Sequence, residues 1–276
     1  MVYALELIAS LAAEYESQVV EHDTYSLTLD VRLRRADNRI APYRILARAM
    51  DGNVSAQEET PARLPARCPE RHINGDGTFC MYWQGEMSLK IDSDEAAHTW
   101  WATLLGYLKL QERAEKLRRW PDDNAWAHGN AASHQQKAIA AAARITSQLE
   151  AEVKRRRVQA KQKGPHGRRP QMIYVSQQGS LLYSVRILHQ PTFKAAVTRL
   201  RQPCLCGLRK RKNGRPVALR KCPRHADAAR DLALELVKWE KEEEKFWANY
   251  KGKQCCGKMA SCPLAANGVI TTVTEG

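Results

Sequence analysis

From Tyr25 to Arg34 the chain alternates without a break. Tyr25, Leu27, Leu29, Val31 and Leu33 fall on one side, and Ser26, Thr28, Asp30, Arg32 and Arg34 on the other. A period of two predicts a strand with one buried and one wet face, and such a strand needs both paired neighbours and a cover for its apolar side. Pro42 to Met50, after the turn at Ala36-Asp37-Asn38, offers a second strand, and Leu64 to Arg67 a short third. The cover is predicted on both flanks. Leu5, Ile8, Leu11, Ala12, Tyr15 and Val19 recur at helical spacing, and Asp92, with Glu95 three residues on, caps a helix whose apolar stripe is Trp101, Leu104, Leu105 and Leu108 and which Pro121 ends. The expected order is helix, antiparallel meander, turn, helix: an α+β arrangement.

Between the strands and the second helix lies "RHINGDGTFC", Arg71 to Cys80. Gly75, Asp76 and Gly77 predict a tight turn with positive φ, because glycine has no Cβ clash there and aspartate bonds its own backbone. A cysteine just past a rigid turn is held where a thiolate can act as a nucleophile towards a large partner. The bland reading is a small buried hydrophobe. His72 stands a few residues upstream, Cys68 reads as a structural thiol, and Trp100, Trp101, Trp120 and Trp126 read as core.

The 276 residues leave room for two domains. Residues 1–150 carry 17 Lys/Arg against 21 Asp/Glu, and residues 151–276 carry 27 against 9, so the halves differ from −4 to +18. Only the second half is suited to attract nucleic acid, an anionic membrane or an acidic protein. Glu6, Glu14 and Glu16 argue against a secretory signal, and no apolar run approaches the roughly 20 residues of a membrane helix. The expectation is a soluble cytoplasmic protein with no membrane partner. In a reducing compartment eight cysteines point to metal or catalysis rather than disulfides.

A third, alanine-rich helix is expected from near Ala131 towards "VKRRRVQAKQKGPHGRRP", whose basic residues, glycines and prolines mark a linker. This partitions the chain into a domain at 1–145, a basic helix end and linker at 146–170, and a basic cysteine-rich α+β domain at 171–276. The last holds a hairpin turning at Gln178-Gly179, a short helix after Pro191, and a long helix from about Ala226 to Tyr250. Cys204 and Cys206 in "CLCG", with Cys222 and His225 in "KCPRH", offer four soft ligands in two clusters, which suits tetrahedral zinc with a structural role. Cys255, Cys256 and Cys262 add three more. Their fourth partner is open between His189 and a cysteine of the first cluster, or the long helix folds back and all six cysteines serve one or two zinc ions. The run Leu208 to Lys221, with Lys154 to Arg157, makes an electropositive surface for phosphates or an acidic protein. Aromatic stacking residues beside it are sparse.

The combination of an N-terminal helix, a strand meander, "PERHINGDGTFC" and following helices resembles the ubiquitin-conjugating enzyme fold, especially its compact bacterial relatives in antiviral conjugation operons. "RRWPDDNAWAHG", Arg118 to Gly129, is similar to the same relatives, and the resemblance covers about residues 1–145. It implies that Cys80 carries a ubiquitin-like protein as a thioester. In the eukaryotic enzymes a His-Pro-Asn tripeptide precedes the turn; here Glu70, Arg71 and His72 stand in its place, so His72 falls where the asparagine supports the loop or the oxyanion. His128 is a further candidate, as a proton acceptor. The resemblance also implies an activating, adenylating enzyme, a JAB-type deconjugating peptidase and a role in antiphage defence. A non-catalytic nucleic-acid-binding or scaffold zinc protein with an inactive conjugating-like domain is the alternative.

Overall fold

The structure is a computed structural model, and it describes residues 2–50, 53–83, 85, 90–122, 125–164, 170–188, 193–198, 202–207, 209, 214–260 and 262–265. His189, Pro191 and Lys210 to Lys212 lie outside the described residues. The chain divides into two compact units, Met1–Asp122 with Tyr250–Gly276, and Asp123–Asn249. The helical segments after residue 130, read from the sequence as the end of the first domain and the linker, belong to the second unit. The last 27 residues belong to the first.

The first unit opens with α1 (Val2–Ser10), followed by a 3₁₀ turn at Ala12–Tyr15. A four-stranded antiparallel sheet then runs in sequence order: β1 (Ser17–His22), β2 (Ser26–Arg34), β3 (Ile40–Met50) and β4 (Asn53–Glu58). The alternation read from Tyr25 to Arg34 is obeyed, with Leu27, Leu29, Val31 and Leu33 all buried. Helix α2 (Asp94–Leu117) lies against this apolar face; its start is capped by Ser93, whose side chain accepts from the Ala96 amide, rather than by Asp92. Trp100 and Trp101 are fully buried, and their indole N–H groups donate to the Val54 and Ile8 carbonyls at 3.2 and 3.0 Å. Each ring therefore stitches α2 to another element as well as filling the core.

Two strand expectations are corrected. Val19 lies not on the first helix but in β1, an edge strand whose Val19 and Val20 are exposed, so it carries no alternation to read. Leu64 to Arg67 is not a strand. The fourth strand is Asn53–Glu58, and the buried Glu58 carboxylate accepts from the amides of Ala62, Arg63 and Leu64, which bends the following segment into a loop.

In the second unit α3 (Ala131–Ala143) and α4 (Ser147–Lys154) replace the single predicted helix, because Thr146 caps a new helix by accepting from the Leu149 amide at 3.0 Å. A second antiparallel sheet follows: β5 (Val158–Lys163), β6 (Gln171–Gln177), β7 (Ser180–Leu188) and β8 (Lys194–Val197). The β6–β7 hairpin turns at Gln178-Gly179, both at positive φ, as read. β8 stands where a short helix was expected, since Lys194 to Val197 pair with Val185 to Leu188. Helix α5 (Ala226–Ala248) buries Leu232, Leu236 and Val237.

Candidate functional site

The segment from Cys68 to Cys80 is a compact loop built on backbone pairing. Cys68 and Ile73 exchange two hydrogen bonds of 3.1 and 3.0 Å around the 3₁₀ turn Pro69–Arg71. The turn ahead of Cys80 is closed by the Gly77 amide donating to the Asn74 carbonyl at 3.1 Å. The Asp76 carboxylate accepts from both the amide and hydroxyl of Thr78. Of the two glycines only Gly77 needs positive φ, at 88°. The Phe79 amide then donates to Ala56 of β4 and the Cys80 amide to the His72 carbonyl, at 2.7 and 2.8 Å.

What immobilises this loop is a buried arginine. Arg71 is 1% exposed, and three of its hydrogen bonds go to α2: Nε to Gln111 Oε1 at 2.7 Å, one terminal nitrogen to the Gln111 carbonyl at 3.0 Å, the other to Glu115 at 2.6 Å. The Tyr107 hydroxyl donates to the carbonyls of Arg71 and His72, at 3.2 and 3.0 Å. A planar guanidinium matches such fixed acceptors better than a lysine does. Sequence reading passed over Arg71 because an arginine beside a turn ordinarily points to solvent.

Cys80 itself is exposed. Accessible and well solvated are different conditions, however. Surrounding protein desolvates the thiolate, and its pKa is raised above the ordinary thiol value. The site gives access to a partner and holds the sulfur mostly protonated until a base or a partner's charge removes the proton. His72 is half-buried with φ 55°, and its ring lies 4.8 Å from that of Trp120.

In the second unit the structure brings Cys204, Cys206, Cys222 and His225 together, their ligand atoms all within 4.8 Å of one another. The sulfurs of Cys204 and Cys222 each lie 3.3 Å from His225 Nδ1. Tetrahedral bonds of about 2.0–2.3 Å set ligands roughly 3.5–3.8 Å apart, so this donor set fits a zinc-class ion. Cys204 and Cys206 sit on a turn closed by the Gly207 amide on the Cys204 carbonyl, with Gly207 at φ 69°. His225 immediately precedes α5. Burial pushes the Cys204 thiol up to about 12. A cation bound here would supply the positive charge that favours the thiolates of these clustered donors.

A family model described as a prokaryotic E2 domain matches residues 15–122, and one described as a cysteine-rich domain C-terminal to the E2 domain matches residues 127–264, half of the chain. The chain belongs to the prokaryotic E2 proteins with a C-terminal cysteine-rich domain. No curated protein and no solved structure gives a match. An E2 domain makes the protein a ubiquitin-conjugating-like transferase in general terms, and the loop that ends at Cys80 lies inside the E2 match. No described helix is long and apolar enough to cross a membrane.

The remaining candidate residues of this E2 protein separate. His128 belongs to the second unit, where its Nδ1 lies 2.6 Å from Glu243 of α5 and its ring stacks on Phe246 at 4.5 Å. Cys255, Cys256 and Cys262 belong to the E2 unit, and Cys256 Sγ lies 3.0 Å from Cys68 Sγ. The seven sequence-predicted ligands therefore form two sets. Counted by unit, the E2 unit has 18 Lys/Arg against 20 Asp/Glu and the other unit 26 against 10, so the positive charge resides in Asp123–Asn249.

Proposed function

We propose that this E2 protein accepts a ubiquitin-like protein on Cys80 and passes it to an amine of a target. The Cys80 thiolate attacks the carrier's C-terminal thioester carbonyl on an activating, adenylating enzyme, and that enzyme's cysteine leaves as thiolate. An acceptor amine then attacks the Cys80 thioester, the amide bond forms, the Cys80 thiolate leaves, and the amine proton passes to a base. The observation that carries this reading is the exposed Cys80 at the end of a loop pinned by the buried Arg71. His72, at the position of the family's asparagine, is assigned as a hydrogen-bond donor to the tetrahedral oxyanion. Loss of one such donor typically costs about 10²–10³ in rate. A zinc ion held by Cys204, Cys206, Cys222 and His225 serves to fold its unit. The resemblance to antiviral conjugation systems supports a cytoplasmic role in antiphage defence alongside a JAB-type deconjugating peptidase.

The test is incubation of the full chain with its cognate activating enzyme, carrier and ATP. A thiol-sensitive adduct is expected with the wild type, and a thiol-resistant ester or no adduct with Cys80→Ser. Absence of any wild-type adduct overturns the reading. The strong positive charge of the second unit favours a second reading, a non-catalytic nucleic-acid-binding or scaffold zinc protein. In that case duplex affinity falls with salt at a log–log slope of about 0.9 for each phosphate contact, and no adduct forms.

A further inference from the structure

We propose that Cys68, Cys255, Cys256 and Cys262 hold a second zinc ion, within the E2 unit, as a four-thiolate centre behind the Cys80 loop. The cysteines come from two segments 188 residues apart in sequence, joined at the Cys68–Cys256 contact of 3.0 Å. Cys255 in turn lies near enough to Cys256 and Cys262 to act on the charge state of both thiols. Cys68 and Cys262 are buried, Cys255 and Cys256 half-buried.

The backbone around the sulfurs is the second and independent observation. Cys255 Sγ receives the amide of Gly257 at 3.4 Å, and the amides of Arg71, Lys258 and Leu264 favour the charged form of Cys68, Cys256 and Cys262 in turn. Backbone amides that favour the charged sulfur make a thiolate environment, because a neutral thiol is a weak acceptor and a metal-bound thiolate a strong one. The amides of Cys206 and Arg224 act on Cys204 and Cys222 by the two-residue spacing that Cys255, Cys256 and Cys262 share. The two clusters are thus built alike. One cation stands beside the second, the Arg71 guanidinium, which acts electrostatically on Cys256. It offsets part of the negative charge of a zinc tetrathiolate. A disulfide between Cys68 and Cys256 would use two of the four sulfurs and leave the other two without a role.

The centre also has mechanical sense. Cys68 exchanges two backbone hydrogen bonds with Ile73, so a metal at Cys68 grips the base of the loop that ends at Cys80. The last segment is already fastened there, with the Ala260 amide donating to the Arg118 carbonyl at 2.8 Å and Met259 and Leu264 buried. A cross-link closing so long a loop removes much of the freedom of the unfolded chain.

The test is metal content of the full chain, purified reduced and without chelator. Wild type is expected to hold two zinc ions, Cys204→Ser one, Cys68→Ser one, and the double variant none. Cobalt exchanged into Cys204→Ser should give the spectrum of a tetrathiolate, and into Cys68→Ser that of a three-sulfur, one-nitrogen site. Cys255→Ser, with the less buried ligand, replaces Cys68→Ser if that variant does not fold, and Cys80→Ser should retain both ions whatever the fate of the thioester reading. A full zinc complement in folded Cys68→Ser or Cys255→Ser, or an intact mass lacking the two thiol hydrogens of a Cys68–Cys256 disulfide, would overturn the proposal.

Discussion

Arg71 and Gln111 clasp each other: the arginine Nε donates to Gln111 Oε1 at 2.7 Å, while Gln111 Nε2 donates back to the Arg71 carbonyl at 2.6 Å. Both residues are buried, so the pair joins the loop before Cys80 directly to the C-terminal half of α2. Gln111→Leu strands the buried Arg71 Nε and leaves the Arg71 carbonyl with the Tyr107 hydroxyl alone. The expected loss is about 1–3 kcal/mol for the group left unpaired, read from urea unfolding. Tyr107→Phe should cost about 1 kcal/mol and speed amide exchange at Cys80. Unchanged stability and exchange in both variants would mean that the clasp does not hold the loop.

The turn ahead of Cys80 separates its two glycines. Gly77 has φ 88°, whereas a Cβ on Gly75 meets only the Tyr250 hydroxyl at 3.9 Å. Gly77→Ala should therefore destabilise by roughly 1–2 kcal/mol, and Gly75→Ala by little. Thermal melts of the two variants check this, and equal shifts would contradict it.

The desolvated Cys80 thiol has a pKa above the ordinary value, so the reactive thiolate is scarce at neutral pH and grows as pH rises. Alkylation of Cys80, followed by peptide mass spectrometry, should lag behind that of a free cysteine at neutral pH. The gap should close as pH climbs past the ordinary thiol value. A Cys80 that alkylates faster than free cysteine at neutral pH would show an activating charge in place of desolvation.

Two His–Glu pairs fasten the second unit: His128 with Glu243 and His134 with Glu235, both at 2.6 Å. Burial works against the two carboxylates. For Glu243 the His128 hydrogen bond, and for Glu235 the Lys238 and His134 hydrogen bonds, more than offset it, and both pKa values are lowered. A depressed folded pKa contributes stability above the unfolded carboxylate value, and that stability disappears as pH falls through the folded one. Glu243→Gln and Glu235→Gln should each flatten the acid limb of the unfolding profile of the second unit. Profiles parallel to wild type would count against the pairs.

The strands and helices that present an apolar period were legible in the chain itself. β2 alternates because one face meets the core and the other water, and α5 and the Gln178-Gly179 turn follow equally local rules. β1 and β4 were not legible, since an edge strand with exposed valines and a strand carrying Ala56 and Glu58 show no strong alternation. The turn ahead of Cys80 and the clustering of Cys204, Cys206, Cys222 and His225 were likewise readable, because each group lies within short, punctuated stretches. Tertiary structure alone decided that Arg71 is buried, that His128 pairs with Glu243, and that Cys68 meets Cys256. Those contacts join positions from 40 to 188 residues apart, and no local preference in a single chain records which distant partner a buried cation or thiol will find once the core has closed.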